Sequence, residues 1–128
     1  MRVYNLSTLP HKQLVSSRTG EIFSQSAVLT DLLSCRKIFV HHEILEPGKR
    51  ASAPHRHTLQ EEIVLVLQGF PTAHLGEETV NLKPGDFIGF TPDSNQFHFI
   101  ENPTQEEVRF LVICSKEEDD QTIIPASS

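Results

Sequence analysis

Residues 54–69 read PHRHTLQEEIVLVLQG. His55 and His57 stand one residue apart, Glu61 and Glu62 follow, and an apolar run then ends at Gly69. On an extended strand alternate side chains share a face, so both imidazoles point the same way. If that face is the inside of a barrel, both rings enter a cavity with apolar walls. A carboxylate at Glu61 or Glu62 comes round a short loop onto the neighbouring strand and joins them. Two nitrogens and one oxygen begin a site for a first-row transition ion. The run EIVLVLQG is apolar on both faces, which predicts a strand buried on both sides. One more donor closes the site, and His98 in FHFIEN is the natural candidate, with Phe97 and Phe99 turned to the opposite face.

The text on either side of this stretch is strand and turn. KIFVHHEIL stops at Glu46-Pro47-Gly48, a turn signal. TAHLG, TVNL, FIGF, FHFIEN and VRFLVICS follow, separated by GEE, KPGD, TPDSNQ and NPTQEE. In Lys83-Pro84-Gly85-Asp86 the proline sets φ and the glycine supplies a positive φ. Many short strands at close intervals indicate an all-β sandwich or barrel. SQSAVLTDLLS, residues 24–34, admits two readings: an amphipathic helix with Val28, Leu29, Leu32 and Leu33 on one face, or a strand and turn. Residues 1–20 read as a loosely held arm or an edge strand, and the acidic residues 116–128 as a solvated tail.

A chain of 128 residues suits one domain, here 1–128 with its core at about 38–115. At 38% hydrophobic and 22% charged it is globular in composition. A net charge of −6 disfavours nucleic acid and anionic membrane surfaces as partners. No stretch approaches a membrane span and no signal peptide is recognisable, so a cytoplasmic location with reduced thiols is expected. Cys35 and Cys114 form no metal spacing, and Cys114 reads as a small buried hydrophobe. His41, His42 and His74 read as surface or strand-end histidines, with His42 a secondary candidate to face the cavity. His11 carries no signal. Lys49 and Arg50 read as a solvated loop.

Two spacings together resemble the cupin superfamily, specifically its small single-domain conserved-barrel members. The first cupin motif runs from a glycine through His-x-His and a glutamate to a second glycine, matched here by Gly48, His55, His57, Glu62 and Gly69. Only Glu62, not Glu61, leaves the motif's six residues before Gly69. The second motif runs glycine, proline, histidine, asparagine, matched by Gly85, Pro92, His98 and Asn102. The usual Pro-x-Gly is missing: the loop holds one extra residue before His98, and Asn95 is the residue that tolerates the left-handed conformation glycine normally supplies.

The resemblance implies a double-stranded antiparallel β-helix, the jelly-roll or cupin barrel, with six to eight strands. It implies that His55, His57, Glu62 and His98 bind a divalent transition metal (Fe, Mn, Zn, Ni, Co or Cu). A small-molecule ligand in the barrel and a homodimer, with Val3, Leu6 and Leu9 of the arm at the contact, are further expectations. Cupins include isomerases, dioxygenases and decarboxylases as well as binding proteins, so fold alone leaves function open. The leading expectation is a metal-dependent enzyme acting on a small sugar- or carboxylate-type metabolite. A non-catalytic binding or sensor cupin and a vestigial site are the alternatives, and no catalytic residue beyond the ligands is marked.

Overall fold

In the computed structural model, which describes residues 1–126, Val108–Ser115 is the strand around which the others are arranged. Its burial alternates without a break, with Val108, Phe110, Val112 and Cys114 inward. This is the period of two expected of a strand with one face on the core. In chain order the strands are β1 (Lys12–Val15), β2 (Ile22–Val28), β3 (Ile38–Leu45), β4 (Arg56–His57), β5 (Glu62–Gln68), β6 (Thr72–Leu75), β7 (Glu78–Asn81), β8 (Phe87–Phe90), β9 (His98–Glu101), β10 (Val108–Ser115) and β11 (Thr122–Ile123). A six-stranded sheet has the order β1-β2-β3-β10-β5-β8, a three-stranded sheet the order β7-β6-β9, and β11 pairs with β4. Every pairing between these strands is antiparallel. The architecture is all-β, as the strand and turn pattern predicts, and is the antiparallel jelly-roll barrel that the resemblance implies, with eleven strands among the described residues rather than six to eight.

One core fills the space between the two larger sheets. Leu45, Val64, Val66, Phe90, Phe110 and Val112 enter it from the six-stranded sheet, Ala73 and Ile100 from the three-stranded one. The ambiguous segment 24–34 divides: its first half ends β2 and its second half makes a single helical turn, α1 (Leu29–Leu32). The arm resolves as an edge strand, since β1 pairs with β2. Among the described residues no helix is long and apolar enough to cross a membrane.

Five expectations need correction. β5 is not buried on both faces: Val64 and Val66 are inside, whereas Ile63 is 45% and Leu67 39% exposed. The strand is central in its sheet, but only one face of that sheet meets the core. Residues 116–126 are not simply a solvated tail, because β11 pairs with β4 and so folds this segment back beside His57; the last two residues of the expected tail, 127–128, lie outside the described residues. His42 is buried but alternation sends it away from the cavity, and His11 does carry a contact: its Nε2 meets His42 Nδ1 at 2.7 Å. Arg50 likewise is held, by a two-pronged pair with Glu21 at 2.8 Å.

Two glycines bound the stretch from which the fold was read. Gly69 has φ +84°, and a Cβ there would lie 2.7 Å from the Glu107 carbonyl oxygen and 2.8 Å from Val108 Cγ2. Gly48 has φ +75° with open space around it. Both substitutions by alanine force a left-handed L-residue, at about 1–2 kcal/mol. Only Gly69→Ala adds a backbone collision. Urea unfolding is expected to show Gly48→Ala losing about 1 kcal/mol and Gly69→Ala losing more than about 2 kcal/mol. Equal losses at the two positions contradict the close approach.

His42 makes stability depend on pH. Burial, then the neighbouring charges of His11 and Arg109, hold it below the ordinary histidine value of 6.5. As pH falls through that value the unfolded chain takes up a proton that the folded chain refuses, so stability falls with pH. Melting temperatures measured in chelator at about pH 7.5 and about pH 5.5 are expected to drop in the wild type. The drop should be smaller in His42→Leu; an unchanged drop removes His42 from the cause.

Candidate metal centre

The positions read from the sequence meet at one end of the core. Glu62 opens β5, His57 closes β4 and His98 opens β9. His55 lies just ahead of β4 and forms an isolated antiparallel bridge with His98, with N···O distances of 3.2 and 2.8 Å. The bridge brings the two rings to 4.6 Å between centroids. Asn95 carries the longer loop ahead of β9 at φ 53°, the left-handed conformation expected of it. The extra residue is absorbed in the single 3-10 turn Pro92–Ser94, and His98 keeps its inward position, buried in β9.

His55, Glu62 and His98 each offer a donor atom within 4.8 Å of the others. His98 Nε2 is 2.9 Å from Glu62 Oε2, and His57 Nε2 is 3.8 Å from Glu62 Oε1. His57 is thus beside the trio, slightly further out, with its ring 5.2 Å from that of His55. Glu61 is exposed, so of the two adjacent glutamates it is Glu62 that enters the cavity.

The rings are held from behind. His55 Nδ1 donates to the Ala53 carbonyl at 2.9 Å, with Ser52 Oγ at 3.2 Å. His57 Nδ1 donates to Asp120 Oδ2 at 2.8 Å. Because each Nδ1 carries the proton, each Nε2 keeps a lone pair, which is the form a metal takes. His98 stacks on Phe90 with centroids 4.0 Å apart and planes at 4°. The donor set of imidazole nitrogens and one carboxylate suits a divalent first-row ion.

Electrostatics agree with that fit. Burial opposes ionisation of Glu62, yet the hydrogen bond from His98 and the nearby rings prevail and hold its carboxyl below the usual range. Burial keeps His55 neutral by pushing its pKa down, against the opposing pull of the Ala53 carbonyl. Burial, followed by the Glu62 charge, pushes the Cys114 thiol up to about 12, so this residue lines the cavity as a neutral thiol.

Asp120 was not visible as a functional residue. Its Oδ1 accepts from Leu59 N at 2.8 Å and Gln60 N at 2.9 Å while Oδ2 holds His57. Nothing in KEEDDQ distinguishes one acid from the next; only the β11–β4 pairing selects it. Two further residues were missed, His41 and Glu43, which line the same cavity from β3. A signal was available there, since Glu43 shares a strand face with the apolar Phe39 and Leu45. His74 pairs with Glu101 at 2.5 Å, away from the centre.

The family model for the Cupin domain matches residues 41–114, more than half of the chain, and the protein belongs to that family. Among solved structures it is similar to a provisionally named sugar phosphate isomerase from Acidithiobacillus ferrooxidans. The two share 28% identity and a TM-score of 0.85 over 95% of this chain and 78% of that one. A cupin-superfamily sugar phosphate isomerase from Silicibacter pomeroyi is 22% identical, with a TM-score of 0.88 over 98% and 82% of the two chains. A predicted oxalate decarboxylase from Thermotoga maritima is 23% identical, with a TM-score of 0.74 over 91% and 100%. The last two likenesses establish the fold alone. No curated protein matches the chain in sequence.

If Asp120 orients His57 toward the centre, Asp120→Asn should weaken metal binding by about 10- to 100-fold. Competition against a chromogenic chelator measures this directly. An unchanged affinity means that His57 needs no anchor or does not ligate.

Proposed function

We propose that this protein is a metal-dependent enzyme acting on a small polar metabolite of the sugar-phosphate class, and that its reaction is an aldose–ketose isomerisation. The observation that carries the reading is the convergence of His55, Glu62 and His98, with His57 beside them, at a cavity of about 330 Å³ walled by Phe90, Phe110 and Val112. A divalent ion bound by these four residues supplies Lewis acidity to an oxygen of the substrate. The chain's own residues do the remaining work. Ala53 and Asp120 fix the two rings of the His-x-His pair. The apolar wall keeps water away from the reacting carbons.

A second, more open cavity of about 450 Å³ adjoins the first through His55 and His57. Ser16, Ser17, Arg18 and Thr19 of the β1–β2 connection line it, as does Arg50. Glu21, paired with Arg50, lines it too; the hydroxyls of Ser16, Ser17 and Thr19 at the outer end suit a phosphate, while the inner end suits the carbonyl carbon and its neighbour. Both volumes lie within the range of small-ligand sites. The similarity to the Acidithiobacillus protein supports the same substrate class.

Metal-replete protein incubated with pentose and hexose phosphates and followed by proton NMR is expected to interconvert one aldose–ketose pair. The His55→Ala/His98→Ala variant is expected to lose turnover and metal together. Calorimetric binding of these sugars without turnover in the wild type points instead to a binding protein. Neither binding nor turnover removes the substrate class.

A further inference from the structure

The cavity at the metal centre holds a second titratable cluster that the metal site does not use. His41 and Glu43 stand two apart on β3 and share its inward face with Phe39 and Leu45. Phe39, His41 and Glu43 line the same space as His55, His57, Glu62 and His98. Opposite His41 on β10 is Val112, and opposite Glu43 is Phe110. Glu43 is 3% exposed in this apolar wall, where a carboxylate is costly unless it is paired.

It is fully paired. Ser24 Oγ donates to Oε1 at 2.5 Å, and His41 Nδ1 donates to Oε2 at 3.0 Å. The carboxylate therefore fixes neutral His41 with its proton on Nδ1 and the lone pair on Nε2. Among the described residues nothing hydrogen-bonds that Nε2, and the side chain is 20% exposed. A pair of apolar side chains fills such a wall at equal or better stability, so packing alone gives no reason for a charged pair here. A base oriented by a buried carboxylate and facing a ligand cavity is the arrangement that proton transfer requires.

Resting on the sugar-phosphate reading above, we propose that His41 is the proton-transferring residue of this enzyme and that Glu43 positions it. His41 Nε2 takes the proton from C2 of the aldose. The C2–H electron pair becomes the C1–C2 double bond, and the carbonyl pair moves to O1, which takes up the proton that O2 gives up. The C1–C2 pair then takes the imidazolium proton at C1, and the electron pair left on O2 forms the C2 carbonyl. Atoms and charge balance with no oxidant or co-reactant. Glu43 stabilises the imidazolium between the two half-steps, and Ser24 holds the carboxylate.

The test uses metal-replete full-length protein in deuterium oxide with ribose 5-phosphate, glucose 6-phosphate and mannose 6-phosphate as probes. NMR reads the exchange of the C2 proton. Wild type is expected to exchange it in at least one probe. His41→Asn should lower kcat by about 100-fold or more with KM within about threefold and metal content unchanged. Glu43→Gln, which keeps the shape of the side chain and removes its charge, should lower kcat with KM and metal content unchanged. Nitrogen-15 spectra of the wild type should show His41 protonated on Nδ1, whatever the turnover. An active wild type with an equally active His41→Asn overturns this role alone, as does a His41 protonated on Nε2. A wild type that isomerises a probe without exchange also overturns this role alone, whereas one that neither binds, isomerises nor exchanges any probe overturns the sugar-phosphate reading and this role with it.

Discussion

The carboxylate of Glu62 is the constraint on which the rest of the structure depends. It lies on the six-stranded sheet, accepts from His98 on the three-stranded sheet, and stands beside His57 on the two-stranded ribbon. All three sheets therefore meet at one buried charge, whose side chain is 11% exposed. A charge so placed is stable only when surrounding groups favour it. The imidazoles do so, and the barrel end is built to bring them there. The His55–His98 bridge closes the gap between loop and strand, and Phe90 on the neighbouring β8 supports the His98 ring.

The supports come from dispersed parts of the chain, which explains several features that look peripheral in isolation. The turn before β4 contributes the Ala53 carbonyl, and the tail contributes Asp120. The β1–β2 connection reaches the outer cavity and is tied to the Arg50 loop through Glu21. Loops and tail thus set ring orientation and access, while the strands set position. This division is common where a rigid scaffold carries a site made partly of loop residues.

The fold was legible because its signals are local. Alternation along β10, the turn at Lys83–Asp86 and the six-residue count from Glu62 to Gly69 each need only a few consecutive residues to read. The convergence of His55, Glu62 and His98 was legible for the same reason, and Asn95 took the left-handed role read for it. What could not be read depends on the chain's path. Asp120 and His57 are far apart in sequence, and only the β11–β4 pairing joins them. The His11–His42 contact needs the arm to lie along β2, and the Arg50–Glu21 pair needs the start of β2 to meet the loop before β4. The outward apolar residues of β5 misled because an Ile or Leu on an uncovered face has the same letter as one in the core.

The central claim is that four side chains, three from three different sheets and His55 from the segment just ahead of β4, form one metal centre. Its most direct test is elemental analysis joined to X-ray absorption at the metal edge, on protein purified without a nickel column. The account predicts close to one equivalent of a single first-row ion in a nitrogen and oxygen shell with imidazole scattering, and loss of both metal and signal in Glu62→Ala. A wild type that stays metal-free after separate incubation with Fe, Mn, Zn, Ni, Co and Cu contradicts it. So does an ion retained in full by the variant.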